Sequence, residues 1–273
     1  MGEYSYEFYF SFDIGKFLIN VLVWSLFVVD VYALNLGTNI TIYDGSSNEE
    51  TGWHGKNEDQ EVEPFCVNDQ SWDLEGFFLN GSELQMVGGF DFNSSNEGFE
   101  IGDIFLDIDG DIGTSETYDE GINSVKDNFG YEYVLDLNFS DYSYVVYELN
   151  NDSYNYTVYY QNWNNHQGVN SHSNPYRYDS GGNQKAVGTF QYISNLTDSD
   201  VGFYGGTHYA LVGFDLGFLN GQEFTAHLTM GCGNDNLMGQ GTAPVPEPAT
   251  VILMGIGLIG VAGFGRKKIK KQA

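Results

Sequence analysis

Short runs of alternating hydrophobic and polar residues, separated by clusters of Asn, Asp, Gly and Ser, fill the middle of the chain. In one run, Ile104 and Leu106 fall on one face of an extended strand, and Asp103 and Asp107 fall on the opposite, polar face. No helical pattern longer than two turns precedes residue 249. The sequence therefore predicts a single all-β domain of the β-sandwich or jelly-roll type. The predicted strands cover residues 84–92, 101–109, 131–138, 144–149, 154–160, 186–193, 207–216 and 223–230.

An apolar run near the N-terminus, residues 17–29, has the length of a signal-peptide core. Small or modest residues just after it place the signal cleavage between Ala33 and Leu34. We therefore predict a signal peptide over residues 1–33. A secretory signal begins with positive charge, whereas the charged residues within 1–15 are all acidic. We hypothesise that this segment precedes the true translation start; a peptide from it in protein isolated from the host would disprove the idea.

A second apolar run, residues 249–265, lies near the C-terminus. Its 17 residues would form a helix about 26 Å long, which is short against a hydrocarbon core of about 30 Å. A Pro-Glu-Pro sequence precedes the run, and a basic cluster that would stay on the cytoplasmic side follows it. The pattern predicts one marginal transmembrane helix. The flanking residues are Pro246, Glu247 and Pro248 on one side and Arg266, Lys267, Lys268, Lys270 and Lys271 on the other.

The chain between these two ends is strongly acidic. The net charge of the whole sequence is −28, although half of its ten basic residues lie in the C-terminal cluster. Such a surface repels nucleic acid, because nucleic-acid binding depends on cationic contacts to phosphate. Aromatic residues make up 16% of the chain, which is far more than a disordered acidic segment carries. The sequence thus predicts a folded body with no nucleic-acid partner.

The two cysteines, Cys66 and Cys232, lie near opposite ends of the predicted body. In an oxidising compartment they would pair. The bridge would close a loop of more than 150 residues, which the chain-entropy account values at roughly 4–5 kcal/mol. Two unbridged thiols are the alternative.

Asp107, Asp109 and Asp111 alternate at the end of a predicted strand. Carboxylate oxygens are the ligands that Ca²⁺ prefers, so these three residues are candidates for a structural calcium site. The segment is not an EF-hand, since Ile112 stands where glycine is needed and Tyr118 where glutamate is needed. A solvated strand face explains the same aspartates without a metal. No other cofactor is predicted.

The sequence predicts no catalytic residues. Asp-Ser-Gly-Gly at residues 179–182 matches the nucleophile region of trypsin-like proteases, but the candidate His227 follows it instead of preceding it. Paired carboxylates for glycoside hydrolysis cannot be chosen among so many acids. Trp53, Trp72 and Trp163 are candidates for stacking on sugar rings, although tryptophans of this kind also serve as core residues.

Several segments of the body, together with the C-terminal signal, resemble the PEP-CTERM surface proteins of Gram-negative bacteria. The resemblance covers most of residues 70–265. It implies export across the inner membrane, cleavage at the Pro-Glu-Pro sequence by exosortase, a membrane-embedded cysteine protease, and placement at the cell surface or in the extracellular matrix. It implies no catalytic residues and supports a structural role for Cys232. The matching segments are residues 102–107 (GDIFLD), 131–136 (YEYVLD), 144–149 (YVVYEL) and 232–239 (CGNDNLMG).

We therefore predict a signal peptide at residues 1–33, a secreted β-sandwich domain at residues 34–242 and a sorting signal at residues 243–273. The expected function is structural or adhesive, in an exopolysaccharide or biofilm. The expected partners are exosortase, matrix glycans and, transiently, the inner membrane. The alternatives are a carbohydrate-binding protein or carbohydrate-active enzyme on the same fold, and a calcium-dependent lectin.

Overall fold

The computed structural model describes five stretches of the chain: residues 34–42, 67, 69–112, 121–159 and 173–245. The chain separates into two compact units, Met1–Asn35 and Leu36–Ala273, and the architecture below belongs to the second. Within these stretches, no helix has the length and apolar character needed to span a membrane. The predicted signal peptide and C-terminal helix lie outside the described residues.

The described residues form fifteen strands, two short 3-10 helices (Gln70–Trp72 and Gly217–Leu219) and one short α-helix, α1, which covers Asp198–Val201. The sequence predicted a short helical turn here, and Thr197 caps it together with the Asp200 side chain. The strands are β1 (Thr38–Asn39), β2 (Thr41–Ile42), β3 (Leu74–Asn80), β4 (Glu83–Gly88), β5 (Ile104–Asp107), β6 (Ser124–Val125), β7 (Tyr133–Asn138), β8 (Ser143–Glu148), β9 (Tyr154–Tyr156), β10 (Arg177–Ser180), β11 (Asn183–Thr189), β12 (Gln191–Leu196), β13 (His208–Asp215), β14 (Glu223–Thr229) and β15 (Asn236–Thr242).

These strands form three sheets, and neighbouring strands pair antiparallel throughout the described part. A five-stranded sheet has the order β1-β3-β4-β13-β12. A seven-stranded sheet has the order β11-β8-β7-β5-β14-β15-β2, and a small sheet has the order β10-β9-β6. The prediction of an all-β fold is confirmed.

The five-stranded and seven-stranded sheets pack face to face around one hydrophobic core. Phe77 and Met86 come from the first sheet, and Leu106 and Leu228 come from the second; all four are fully buried. The approach is close: a Cβ atom added at Gly239 on β15 would lie 2.8 Å from the Cβ atom of Phe77 on β3. The two sheets therefore form a β-sandwich whose layers leave room only for glycine at this point.

The outer face of the seven-stranded sheet is covered as well. Phe105 points away from the sandwich core and packs with Tyr131, while Tyr178 of the small sheet packs against the same cluster. Strand β5 is consequently buried on both faces. Asp103 and Asp107, which the sequence placed on a polar face, are only 1% and 3% exposed. The prediction of a solvated face was wrong for these two. Asp103 is covered by the small sheet, whose Tyr178 N–H it binds, and Asp107 is held by the backbone of the turn that follows β5.

The predicted strand at residues 186–193 is two strands. The chain leaves β11 in the seven-stranded sheet, passes through Phe190 and enters β12 in the five-stranded sheet. Phe190 is buried and stacks on Phe214 at a centroid distance of 5.1 Å. Phe190 lies between the two strands and is itself a core residue. The sequence pattern therefore looks like one strand and does not show where β11 ends and β12 begins.

Candidate functional site

Four carboxylates meet where β5 ends and the chain turns. Oδ1 of Asp107 accepts hydrogen bonds from the backbone N–H groups of Asp109 (3.1 Å) and Gly110 (2.8 Å). Oε2 of Glu132, the residue before β7, accepts a hydrogen bond from the backbone N–H of Ile108 at 2.8 Å. The structure thus brings the three predicted aspartates together and adds a glutamate from the neighbouring strand. One carboxylate oxygen of each acid lies within 4.8 Å of the others, in the acidic cluster Asp107, Asp109, Asp111 and Glu132.

The electrostatics of the acidic cluster favour a bound cation. Burial raises the pKa of Glu132 to about 7, and the nearby aspartates add to the effect, although the Ile108 N–H opposes it. The hydrogen bond with Asp109, followed by its charge, raises the pKa of Asp111. A hard divalent cation such as Ca²⁺ binds oxygen ligands of this type and would remove the repulsion. Exposed acidic turns are also common without a metal, so calcium here stays a proposal.

Asp103 joins the small sheet to the seven-stranded sheet. Its Oδ1 accepts the backbone N–H of Leu137 on β7 (2.9 Å), and its Oδ2 accepts the backbone N–H of Tyr178 on β10 (2.8 Å). Burial, and then the charge of Asp136, raise the pKa of Asp103 to about 7, whereas Arg177 opposes the change. A carboxyl sealed between two sheets cannot reach a dissolved substrate. Asp103 is therefore a structural connection.

The predicted disulfide has one described end. Val67, which follows Cys66, pairs with Asn234: the Val67 N–H donates to Oδ1 of Asn234, and Nδ2 of Asn234 donates to the Val67 carbonyl, both at 2.9 Å. Asn234 is two residues beyond Cys232. Cys66 lies outside the described residues, so its bridge to Cys232 stays a prediction.

The other predicted site residues divide between the core and the undescribed ends. Trp72 is buried and lies 6.2 Å from Phe90 between ring centroids, so it is a core residue and not a sugar platform. Leu34 is described, whereas its cleavage partner Ala33 is not. The residues that lie outside the described part are Trp53, Trp163, Pro246, Glu247, Pro248, Arg266, Lys267, Lys268, Lys270 and Lys271.

The fold finishes just before the predicted sorting signal. Strand β15 ends at Thr242, and the buried Ala243 donates its N–H to the Gln222 carbonyl at 2.9 Å. Comparison with protein families identifies a PEP-CTERM protein-sorting motif over residues 244–267. Neither the curated proteins nor the solved structures that were compared gave a significant match. The match confirms the sequence prediction: this chain carries a PEP-CTERM sorting motif, which implies exosortase-dependent sorting of an exported protein.

Proposed function

We propose that this protein is a structural or adhesive component of an extracellular matrix, and that exosortase releases it by cutting at residues 246–248. The observation that carries the proposal is the PEP-CTERM motif at residues 244–267, which implies export to the cell envelope or surface. We propose in addition that the folded domain, once exported, acts as a structural or adhesive part of the matrix. Exopolysaccharide or another matrix glycan is the proposed partner.

The charge of the body supports a hydrated, soluble component. The whole chain has a net charge of −28, and a large charge of one sign keeps proteins soluble and apart from one another. Two of the basic residues in the described part are already occupied: Lys126 contacts Asp152 at 2.9 Å, and Lys185 contacts Glu148 at 2.8 Å. Attachment to a polyanionic surface would therefore meet repulsion, which favours glycans without charge as partners.

A non-catalytic body is favoured over a carbohydrate-active enzyme. Glycoside hydrolysis generally uses two carboxyl groups that flank a bound sugar, one of them with a raised pKa. In the described part, burial raises the pKa of both Asp103 and Glu132 to about 7. Asp103 is sealed between sheets, and Glu132 is surrounded by other acids in the acidic cluster. Asp103 cannot contact a dissolved sugar, and Glu132 belongs to the acidic cluster that we propose as a cation site, so for these two residues a structural or binding role is the better proposal.

The test is to express the chain in an exosortase-positive host and compare it with a Glu247→Ala variant. Glu223→Ala, an exposed acid on β14, is the matched control. We expect the wild type and the control to begin at Leu34, to end near Pro248 and to fractionate with the cell surface or matrix. The motif variant should keep its C-terminal segment and stay with membranes. A wild-type protein of full length in the membrane would disprove the sorting step; processed protein found only in the medium would disprove the matrix role.

A further inference from the structure

An open groove of about 370 Å³ lies at one end of the small sheet. Tyr156 on β9 and Arg177 on β10 contribute to it from directly opposite positions in the antiparallel register. The volume falls within the range of small-molecule sites, which combine apolar walls with a few placed polar groups. The walls that matter here are Phe99, Glu100, Ile122, Tyr156, Tyr176 and Arg177, which we call the Arg177 groove.

Part of the Arg177 groove is apolar and aromatic. Ile122 is 41% exposed, and Phe99 and Tyr156 are half-buried. The Phe99 ring is supported by Tyr159 at a centroid distance of 5.6 Å. The charge of Asp179, followed by its hydrogen bonding, raises the pKa of the Tyr156 hydroxyl, so Asp179 lies close to that group. Aromatic rings held in this way present a flat apolar surface. The C–H face of a sugar ring is a matching surface.

Arg177 and Glu100 add a paired donor and acceptor. Nη2 of Arg177 donates to the Ile101 carbonyl at 2.7 Å, and Nη1 and Nη2 both contact Oε2 of Glu100 at 3.3 Å. The guanidinium carbon lies 5.0 Å from the centre of the Tyr176 ring. Because a guanidinium has five N–H donors, these contacts orient Arg177 and still leave donors for a ligand. Glu100 is 60% exposed and uses one oxygen in this pair, so the other can accept from a ligand hydroxyl.

The charges select a neutral ligand. Arg177 and Glu100 cancel each other within the groove, whereas the chain as a whole carries −28. The field of such a protein repels polyanions and leaves uncharged molecules unaffected. Neighbouring hydroxyls of a sugar each donate and accept hydrogen bonds, which matches a donor and an acceptor that lie side by side.

We propose that the Arg177 groove binds a neutral saccharide unit, with Arg177 and Glu100 contacting its hydroxyls and Tyr156 packing against its C–H face. The inference rests on the proposed association with matrix glycans and gives that association a site and a ligand class.

The test is affinity electrophoresis of the processed protein isolated from its host. Native gels would contain one of several neutral polysaccharides (dextran, galactomannan or mixed-linkage β-glucan) or alginate, a polyanion of uronic acids. The Glu100→Ala and Tyr156→Ala variants would be compared with Glu223→Ala and Tyr204→Ala, which remove an exposed acid and a 73% exposed tyrosine away from the groove. Thermal unfolding of each variant checks that the fold is retained.

We expect at least one neutral polysaccharide to retard the wild type and both control variants. Glu100→Ala and Tyr156→Ala should weaken this binding at least tenfold while unfolding near the wild-type temperature. Retardation by no neutral polysaccharide would overturn the proposal, and so would retardation that persists in both groove variants. Stronger retardation by alginate would overturn the ligand class.

Matrix fractionation of the same variants separates this inference from the proposed function. If the groove variants stay in the matrix as the wild type does, the matrix role stands and the Arg177 groove is not its glycan site. If the wild type is absent from the matrix, the proposed function fails whatever the gels show.

Discussion

Nδ1 of His208 lies 2.7 Å from Oε1 of Glu75, and the side chains of both residues are fully buried. On the other side of the ring, Nε2 lies 2.9 Å from Oδ1 of Asp198. Both ring nitrogens of His208 therefore lie within hydrogen-bond distance of a carboxyl oxygen, one from Glu75 and one from Asp198. Glu75 is on β3, His208 is on β13, and Asp198 begins α1. The contact between His208 and Asp198 therefore holds α1 against the five-stranded sheet.

Replacing His208 by leucine should destabilise the protein strongly. Glu75 would keep its hydrogen bond from Nε2 of Gln70 (2.7 Å) but would lose its contact with Nδ1 of the His208 ring. A buried polar group left without its hydrogen-bond partner costs about 1–3 kcal/mol, and more when it is charged, so we expect a loss of at least that size in the free energy of unfolding measured with urea. Asp198→Asn is the matched control and should cost less, since Asp198 is 43% exposed. Equal losses in the two variants would show that the buried contact of His208 with Glu75 adds no stability beyond its contact with Asp198.

The Asp103 carboxyl should make folding less favourable as the pH rises. Its pKa increases from 3.8 to about 7 on folding because of burial, so the folded state holds the proton more tightly. This contribution is complete below the unfolded pKa and is lost as the pH rises through about 7. This change in the pKa of Asp103 corresponds to at most about 4 kcal/mol in the free energy of unfolding.

The measurement is urea unfolding of the wild type and Asp103→Asn at intervals between pH 4 and pH 8. We expect the variant to be less stable at every pH, because the two backbone N–H groups bind different oxygens of Asp103 and the amide NH2 of asparagine would face one of them. Its stability should also fall less steeply with pH than that of the wild type. Parallel curves for the two proteins would show that Asp103 does not titrate in this range.

The fold class followed from the sequence, because alternation such as that of Ile104 and Leu106 is a local property that a strand keeps. The burial of Asp103 did not follow, since it depends on the small sheet, whose β10 is about 70 residues away in the chain. Glu132 was missed in the acidic cluster for the same reason: it joins the aspartates through the pairing of β5 with β7 and not through spacing along the chain.

Calcium should stabilise the protein through the acidic cluster. A ligand that binds only the folded state adds about 2.7 kcal/mol at a concentration 100 times its dissociation constant. We expect Ca²⁺ to raise the melting temperature, EDTA to reverse the change, and Asp109→Asn to reduce it. Asp141→Asn, in an exposed turn between β7 and β8, is the matched control and should respond as the wild type does. No response in the wild type, or an equal response in Asp109→Asn, would exclude this site.

Reduction should destabilise the mature protein if Cys66 and Cys232 are bridged. The closed loop is long, and its loss corresponds to roughly 4–5 kcal/mol in the chain-entropy account. The intact mass before reduction should be two hydrogens below that of the reduced form, and a single cross-linked peptide should contain both cysteines. Cys232→Ser should unfold at the same temperature as the reduced wild type. Alkylation of both cysteines in the unreduced protein would contradict the bridge.

In the described residues, the last backbone hydrogen bond between the chain and the sandwich runs from the Ala243 N–H to the Gln222 carbonyl. Five residues, 244–248, separate that point from the apolar run that begins at residue 249. An extended chain covers at most about 3.6 Å per residue, and Ala243 to residue 249 is six steps, so this tether reaches no more than about 22 Å. That distance is smaller than the diameter of a small domain. If the apolar run inserts as proposed, the β-sandwich of the uncut protein lies close to the membrane surface. The β-sandwich then limits the room in which exosortase can reach the Pro-Glu-Pro sequence.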